Sequence, residues 1–180
     1  MRVVFVPPEL RRLDEIKSDA LSLCLFREDW PLRGMAGLVD WRLGGHISRE
    51  REAGWITCDA GERVLMPLGR SLLCEKLLIM GMGSIEDGLD DDILAERLHV
   101  VFDVLGKMHV HATVLHLPGR PNHLPADRIM KILLEVADKH PDHDEVIIVE
   151  ESEAQQEMER VIASHEGRRN VVDLRGALLD

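Results

Sequence analysis

Three runs of the chain are apolar without alternating: Leu77 to Met80, Ala112 to Leu117 and Glu145 to Val149. A strand with one wet face alternates, so continuous runs call for strands covered on both faces. Helical patterns separate them. Ile93 to Leu105 is strongly apolar, with Asp90-Asp91-Asp92 offering an N-cap and Gly106 suiting a C-terminal cap. A second helix starts at Pro125, presents Ile129, Ile132, Leu133 and Val136 on one face, and ends before Pro141. A third opens on Ser152-Glu-Ala-Gln155, the pattern of a capping box, and runs to about Ser164. Strands joined through helices form parallel sheets with right-handed crossovers. The expected fold is α/β, three-layered, with a mainly parallel or mixed central sheet flanked by helices.

The first half fits this scheme less evenly. Arg2 to Val6 is a β-branched strand that Pro7-Pro8 must end, and Ala20 to Phe26 is a strand closed by Arg27-Glu28-Asp29. Leu13 to Lys17 suits a short strand or a helical turn. Apolar residues at Leu32, Met35, Val39, Leu43 and Ile47 have helical spacing and predict one helix from Leu32 to Glu50, weakened by Gly34, Gly37 and Gly44-Gly45. Val64 to Leu68 is a short strand. Val171 to Leu179 suits a last strand or a short helix. No repeat or linker divides the chain, so residues 1–180 are expected to form a single domain.

Charge narrows the partners. With 33 acidic against 22 basic residues the net charge is -11, which repels phosphate backbones and anionic lipid. Nucleic acid and membrane are therefore not expected. Aromatics are 3% of residues and tyrosine is absent, leaving no stacking platform for bases. Cys24, Cys58 and Cys74 are odd in number and form no CxxC pair, which fits reduced, buried thiols in a cytoplasmic protein. Met1 to Pro8 is broken too soon by prolines for a signal peptide, and no apolar run reaches membrane-spanning length.

Few segments carry chemistry. Gly81-Met-Gly-Ser84 follows an apolar strand, where ligands gather in open α/β sheets and glycines admit a phosphate. Gly81, Gly83 and Ser84, helped by Arg33, are the candidate ligand contacts. The alternative is a tight turn, favoured by the acids at Glu86, Asp87 and Asp90 to Asp92 and by the lack of a dinucleotide fingerprint. Trp30, Leu32, Met35 and Trp41 are the candidate contact surface for a protein partner, because tryptophan is enriched at interfaces; Trp55 also flanks this segment. His109 and His111 are weak metal candidates, an x-spaced pair that a strand would point to one face. The other reading is of ordinary surface histidines, shared with His116, His123, His140 and His143. No cofactor is expected, and no nucleophile elbow or activated cysteine is present in the sequence.

Two blocks carry a family pattern. Pro31-Leu-Arg-Gly34, Leu38-Val-Asp40 and Gly44-Gly45 form the first, and the strand from Leu77 ending in Gly81-Met-Gly83 forms the second. Together they resemble the N-terminal, non-catalytic domain of the cytosolic leucyl aminopeptidase family, over roughly Ala20 to Val172. The resemblance implies a macro-domain-like fold. In that family the two metals and the catalytic residues lie in a C-terminal domain, and its Asn-Thr-Asp-Ala-Glu-Gly-Arg motif does not occur here. No residue of this chain inherits a peptidase role, and an enzyme is not expected. The resemblance implies protein association, self-association or regulation of a partner. The alternative is a small-molecule module for a nucleotide or an ADP-ribose-like ligand, as in macro domains proper, whose asparagine-rich ligand loop has no counterpart here.

Overall fold

Each of the three non-alternating runs becomes an interior strand. The computed structural model describes residues 1–69, 71–88, 90–119 and 124–165, and the backbone of 171–173. In chain order the elements are β1 (Arg2–Val6), α1 (Leu10–Glu15), β2 (Ser18–Leu25), α2 (Gly34–Arg42), α3 (His46–Glu52), β3 (Arg63–Pro67) and β4 (Cys74–Gly81). Then follow α4 (Asp91–Lys107), β5 (Ala112–His116), α5 (Ala126–Ala137), β6 (Glu145–Val149), α6 (Ser152–Ser164) and β7 (Val171–Asp173). Among the described residues the strands form one sheet in the order β3-β4-β2-β5-β6-β1-β7. Only β3 runs antiparallel to its neighbour.

Side chains alternate between two cores. Ala20 and Cys24 of β2, with Val146 and Ile148 of β6, face a core closed by α4, α5 and α6. Leu21, Leu23 and Leu25, with Ile147 and Val149, face the core under α1, α2 and α3. Full burial of each such Leu, Ile or Val contributes about 1.5–3 kcal/mol, so both faces of the sheet stabilise it. Ser22 and Thr113 are the buried polar pair inside the sheet, their hydroxyls 3.0 Å apart across β2 and β5.

Several local expectations change. The helix expected from Leu32 to Glu50 is two helices, broken where Gly44 and Gly45 take φ of 65° and 76°. The break is stabilised from the preceding helix: the Asp40 carboxylate accepts from the Ser48 backbone N–H at 3.1 Å and from its hydroxyl, replacing a local cap for α3. Gly106 is an ordinary turn of α4, and the left-handed residue after that helix is His109 at φ 54°. His109 and His111 therefore precede β5 rather than sharing a strand. Asp90 caps α4 as expected, accepting from Ile93 N–H at 2.8 Å. The Ser152 capping box does not form. Glu151 is the N-cap of α6, without a side-chain cap, and the Gln155 amide donates to the Glu150 carbonyl at 2.7 Å. Leu13 to Lys17 falls in α1 and the turn after it. Val171 to Asp173 is strand; residues 174–179 lie outside the described residues.

Candidate functional site

Parallel strand order brings the carboxyl ends of β5, β6 and β1 to one edge of the sheet. There the chain turns at Pro8 after β1 and at Glu150-Glu151 after β6, while the segment after β2, with a cis Trp30–Pro31 bond, leads into α2. A crevice of about 140 Å³ lies between these turns, with Arg33, Gly34 and Met35 on one side, Val149 to Glu151 on the other, and His116 in its lining. Arg33 is the extended N-cap of α2 and supplies no side-chain cap, and Glu151 likewise leaves the start of α6 uncapped. Unbonded N–H groups and the helix dipole make such starts favourable to an anion. Gly34 has φ 54° with open space where a Cβ would stand, so the backbone there is accessible and needs glycine.

His116 is 5% exposed, and its Nδ1 lies 3.0 Å from the Cys24 carbonyl oxygen. A carbonyl only accepts, so Nδ1 carries the proton and Nε2 is left as an acceptor. Burial is the largest influence on the ring and pushes its pKa down, which keeps it neutral near pH 7. The crevice thus combines a cation and N–H donors with a neutral acceptor. Glu150 and Glu151 limit how much negative charge it accepts, and the Glu151 carboxylate suits hydroxyl donors.

Gly81, Gly83 and Ser84 lie elsewhere, at the end of β4, separated from β5 by β2. Their segment is held by the protein's own chain. Gly81 N–H donates to the Glu62 carbonyl at 2.8 Å, Met82 to Leu25 at 2.8 Å and Gly83 to Cys58 at 2.9 Å. Ile85 N–H and the Ser84 hydroxyl donate to the Glu28 carboxylate. Burial raises the Glu28 pKa, but these donors more than offset it, and the carboxyl sits below its ordinary range. A Cβ on Gly81 would stand 2.0 Å from the Asp59 carbonyl oxygen. The glycine serves a close chain crossing, and those amides are committed. Of the ligand residues named from sequence, Arg33 alone borders the crevice.

The contact residues also divide. Met35 is 2% exposed and belongs to the core beneath α2, whereas Trp30 is 43% and Trp41 64% exposed. Leu32 is half-buried. Trp55, just beyond α3, is the most exposed at 77%. Arg51 stacks over Trp30 at 5.4 Å and Arg42 over Trp41 at 5.3 Å.

His109, His111, His140 and His143 gather at the opposite pole, around a groove of about 730 Å³. His111 Nδ1 is 3.0 Å from the Asp142 carbonyl, and His99 and His140 are 3.0 Å apart. His143 is buried, with Nδ1 2.9 Å from the Val110 carbonyl. Among the described residues no group of three or more His, Cys, Asp or Glu is placed to hold a metal ion; His123 lies outside them. Burial pushes the Cys24 thiol up to about 12 and the Cys58 and Cys74 thiols up to about 11, so all three stay protonated near pH 7. No helix of the described residues is long and apolar enough to cross a membrane.

No protein-family model matches the sequence, and no curated protein matches it. Solved structures do match by shape. A Trypanosoma brucei macrodomain in complex with ADP superposes at a TM-score of 0.68, with 14% identity, over 89% of this chain and 69% of that one. The fold is macrodomain-like. An Oceanobacillus iheyensis macrodomain mutant with ADPR gives 0.67 at 10% identity, over 89% and 91%. A mutant tomato leucine aminopeptidase gives 0.57 at 9% identity, over 89% of this chain but 35% of that one. The macro-domain-like expectation from sequence therefore holds. The narrower likeness to the aminopeptidase N-terminal domain is one match among neighbours that are mainly macrodomains.

The sequence named Arg33 and missed its companions. His116 carried a signal: it is a lone titratable residue inside the apolar run from Ala112 to Leu117. Pro8 and Glu150 carried only their positions after predicted strands.

Proposed function

We propose that the crevice beside Arg33 binds a small anionic molecule of the nucleotide or ADP-ribose class. One observation carries this reading: the uncapped start of α2, Arg33 and the neutral His116 acceptor converge at the carboxyl ends of the central parallel strands. At about four to five water volumes, the crevice holds a phosphate and part of a sugar, and the rest of the ligand lies along the surface. The phosphate sits on the α2 amides and Arg33, and a ribose hydroxyl donates to His116 Nε2. Support comes from the same fold in a trypanosome macrodomain solved with ADP and with ADP-ribose. Calorimetry with ADP-ribose and ADP tests the reading. Saturable heat is expected, and Arg33→Glu weakens it by about tenfold or more. No heat at millimolar ligand contradicts it.

A second reading is protein contact or self-association, as expected of an aminopeptidase-like N-terminal domain. The observation favouring it is the exposure of Trp30, Trp41 and Trp55 on the α2–α3 side. Light scattering tests it. A strict monomer that also captures no aminopeptidase in a mixture contradicts it.

A further inference from the structure

Away from the crevice, on the α4 side of the sheet, the Arg97 guanidinium keeps one nitrogen without an acceptor among the described residues. Its guanidinium lies 5.8 Å from the centre of the Phe26 ring. Its Nη2 would be 3.4 Å from a Cβ on Gly83. Nη1 is buried and has no hydrogen-bond partner among the described residues. Among the described residues the Asp59 carboxylate is paired with Arg27, and the Glu28 carboxylate accepts from Ser84 and Ile85. A desolvated N–H on a charged group carries a penalty that an acceptor relieves, and for Nη1 the described residues do not supply one.

Arg97 lines a groove of about 400 Å³ between α4 and the end of β4. The groove's other walls are apolar, with Met80, Met82, Ile93 and Val100, and backbone at Gly61 and Gly81. Glu96 is the other charged residue in its lining, exposed on the same helix. A dianionic phosphate would be repelled by Glu96 and by the net charge of -11. A monoanion with an apolar body matches both the walls and the single cation. Planar guanidinium donors suit a carboxylate, which accepts two of them at once.

We infer that this groove binds a small monocarboxylate with a compact apolar group, its carboxylate on Arg97 and its apolar part against Met80, Met82, Ile93 and Val100. The inference is independent of the crevice, which lies at the ends of other strands.

The test uses 4-methylpentanoate as the probe, with 4-methylpentanamide and acetate as controls, in calorimetry and thermal unfolding of the whole chain. Saturable binding of 4-methylpentanoate is expected, at least about tenfold tighter than either control. Arg97→Met, which keeps apolar cover over Phe26, abolishes it and leaves ADP-ribose heat unchanged. Should that variant fail to fold, Arg97→Lys decides, with binding weakened about tenfold by loss of the paired donors. Equal binding of acid and amide overturns the inference. So does acetate as tight as the probe, unchanged affinity in Arg97→Lys, or no saturable heat from the probe.

Discussion

The Nδ1 of His116 lies 3.0 Å from the main-chain carbonyl of Cys24, and this contact settles which ring nitrogen is left to face the crevice. It also gives the protein a pH dependence. Burial lowers the His116 pKa in the folded state relative to about 6.5 in the unfolded chain. The unfolded state then binds more protons as pH falls below that value, so stability is intact above it and is lost progressively down to the folded-state pKa. His143 and His99, also lowered chiefly by burial, act in the same direction. Urea unfolding at pH 7.5 and 5.5 should show lower stability at 5.5. His116→Asn, which cannot titrate, should reduce the pH difference. An unchanged difference contradicts this account of His116.

Gly81→Ala separates a structural glycine from a ligand-contact glycine. The added Cβ would meet the Asp59 carbonyl oxygen at 2.0 Å and the Cys58 carbonyl carbon at 2.8 Å, both main chain. Neither retreats without moving the 57–62 turn, so a loss of about 2–3 kcal/mol is expected in urea unfolding. A variant of wild-type stability would show that the space is open.

Asp40→Ala removes the acceptor for the Ser48 N–H and hydroxyl at the start of α3. The expected cost is about 1–2 kcal/mol, as for loss of an N-cap. Asp40→Asn keeps an acceptor oxygen and should recover much of it. Equal losses in the two variants would instead assign the effect to the carboxylate charge.

The thiols should be silent. With Cys24 pushed up to about 12 and Cys58 and Cys74 up to about 11, and all three buried, the folded protein should react with Ellman's reagent at pH 7.5 only as fast as it opens. Guanidinium should expose all three. A thiol that reacts at once in the native state contradicts this packing of the cysteines.

The sheet was legible because burial on both faces leaves its mark on every residue of a run, as in Leu77 to Met80 and Glu145 to Val149. The break between α2 and α3 was not, because Leu43 and Ile47 keep helical spacing across it while Gly44 and Gly45 turn the chain. Nor was the exit from α4: glycine at 106 invited the left-handed position that His109 takes. At the crevice the limit is one of distance along the chain. Arg33 stands in a recognisable glycine-containing block, but Pro8, His116 and Glu150 reach it through the order β5-β6-β1, which no local pattern encodes. The Gly81 to Ser84 segment shows the converse. Its position after a buried strand suits a ligand, and residues far from it in sequence, Glu28, Cys58 and Glu62, take its donors instead.

Binding at the crevice is read most directly by mapping the ligand onto the backbone. ADP-ribose is titrated into uniformly ¹⁵N-labelled protein, and amide shifts are followed by residue. Progressive shifts are expected at Gly34, Met35 and Ala36 and around Glu151 and Ser152, with Gly81 and Gly83 unmoved. Shifts centred on Gly81 to Ser84, or none anywhere at millimolar ligand, would contradict it.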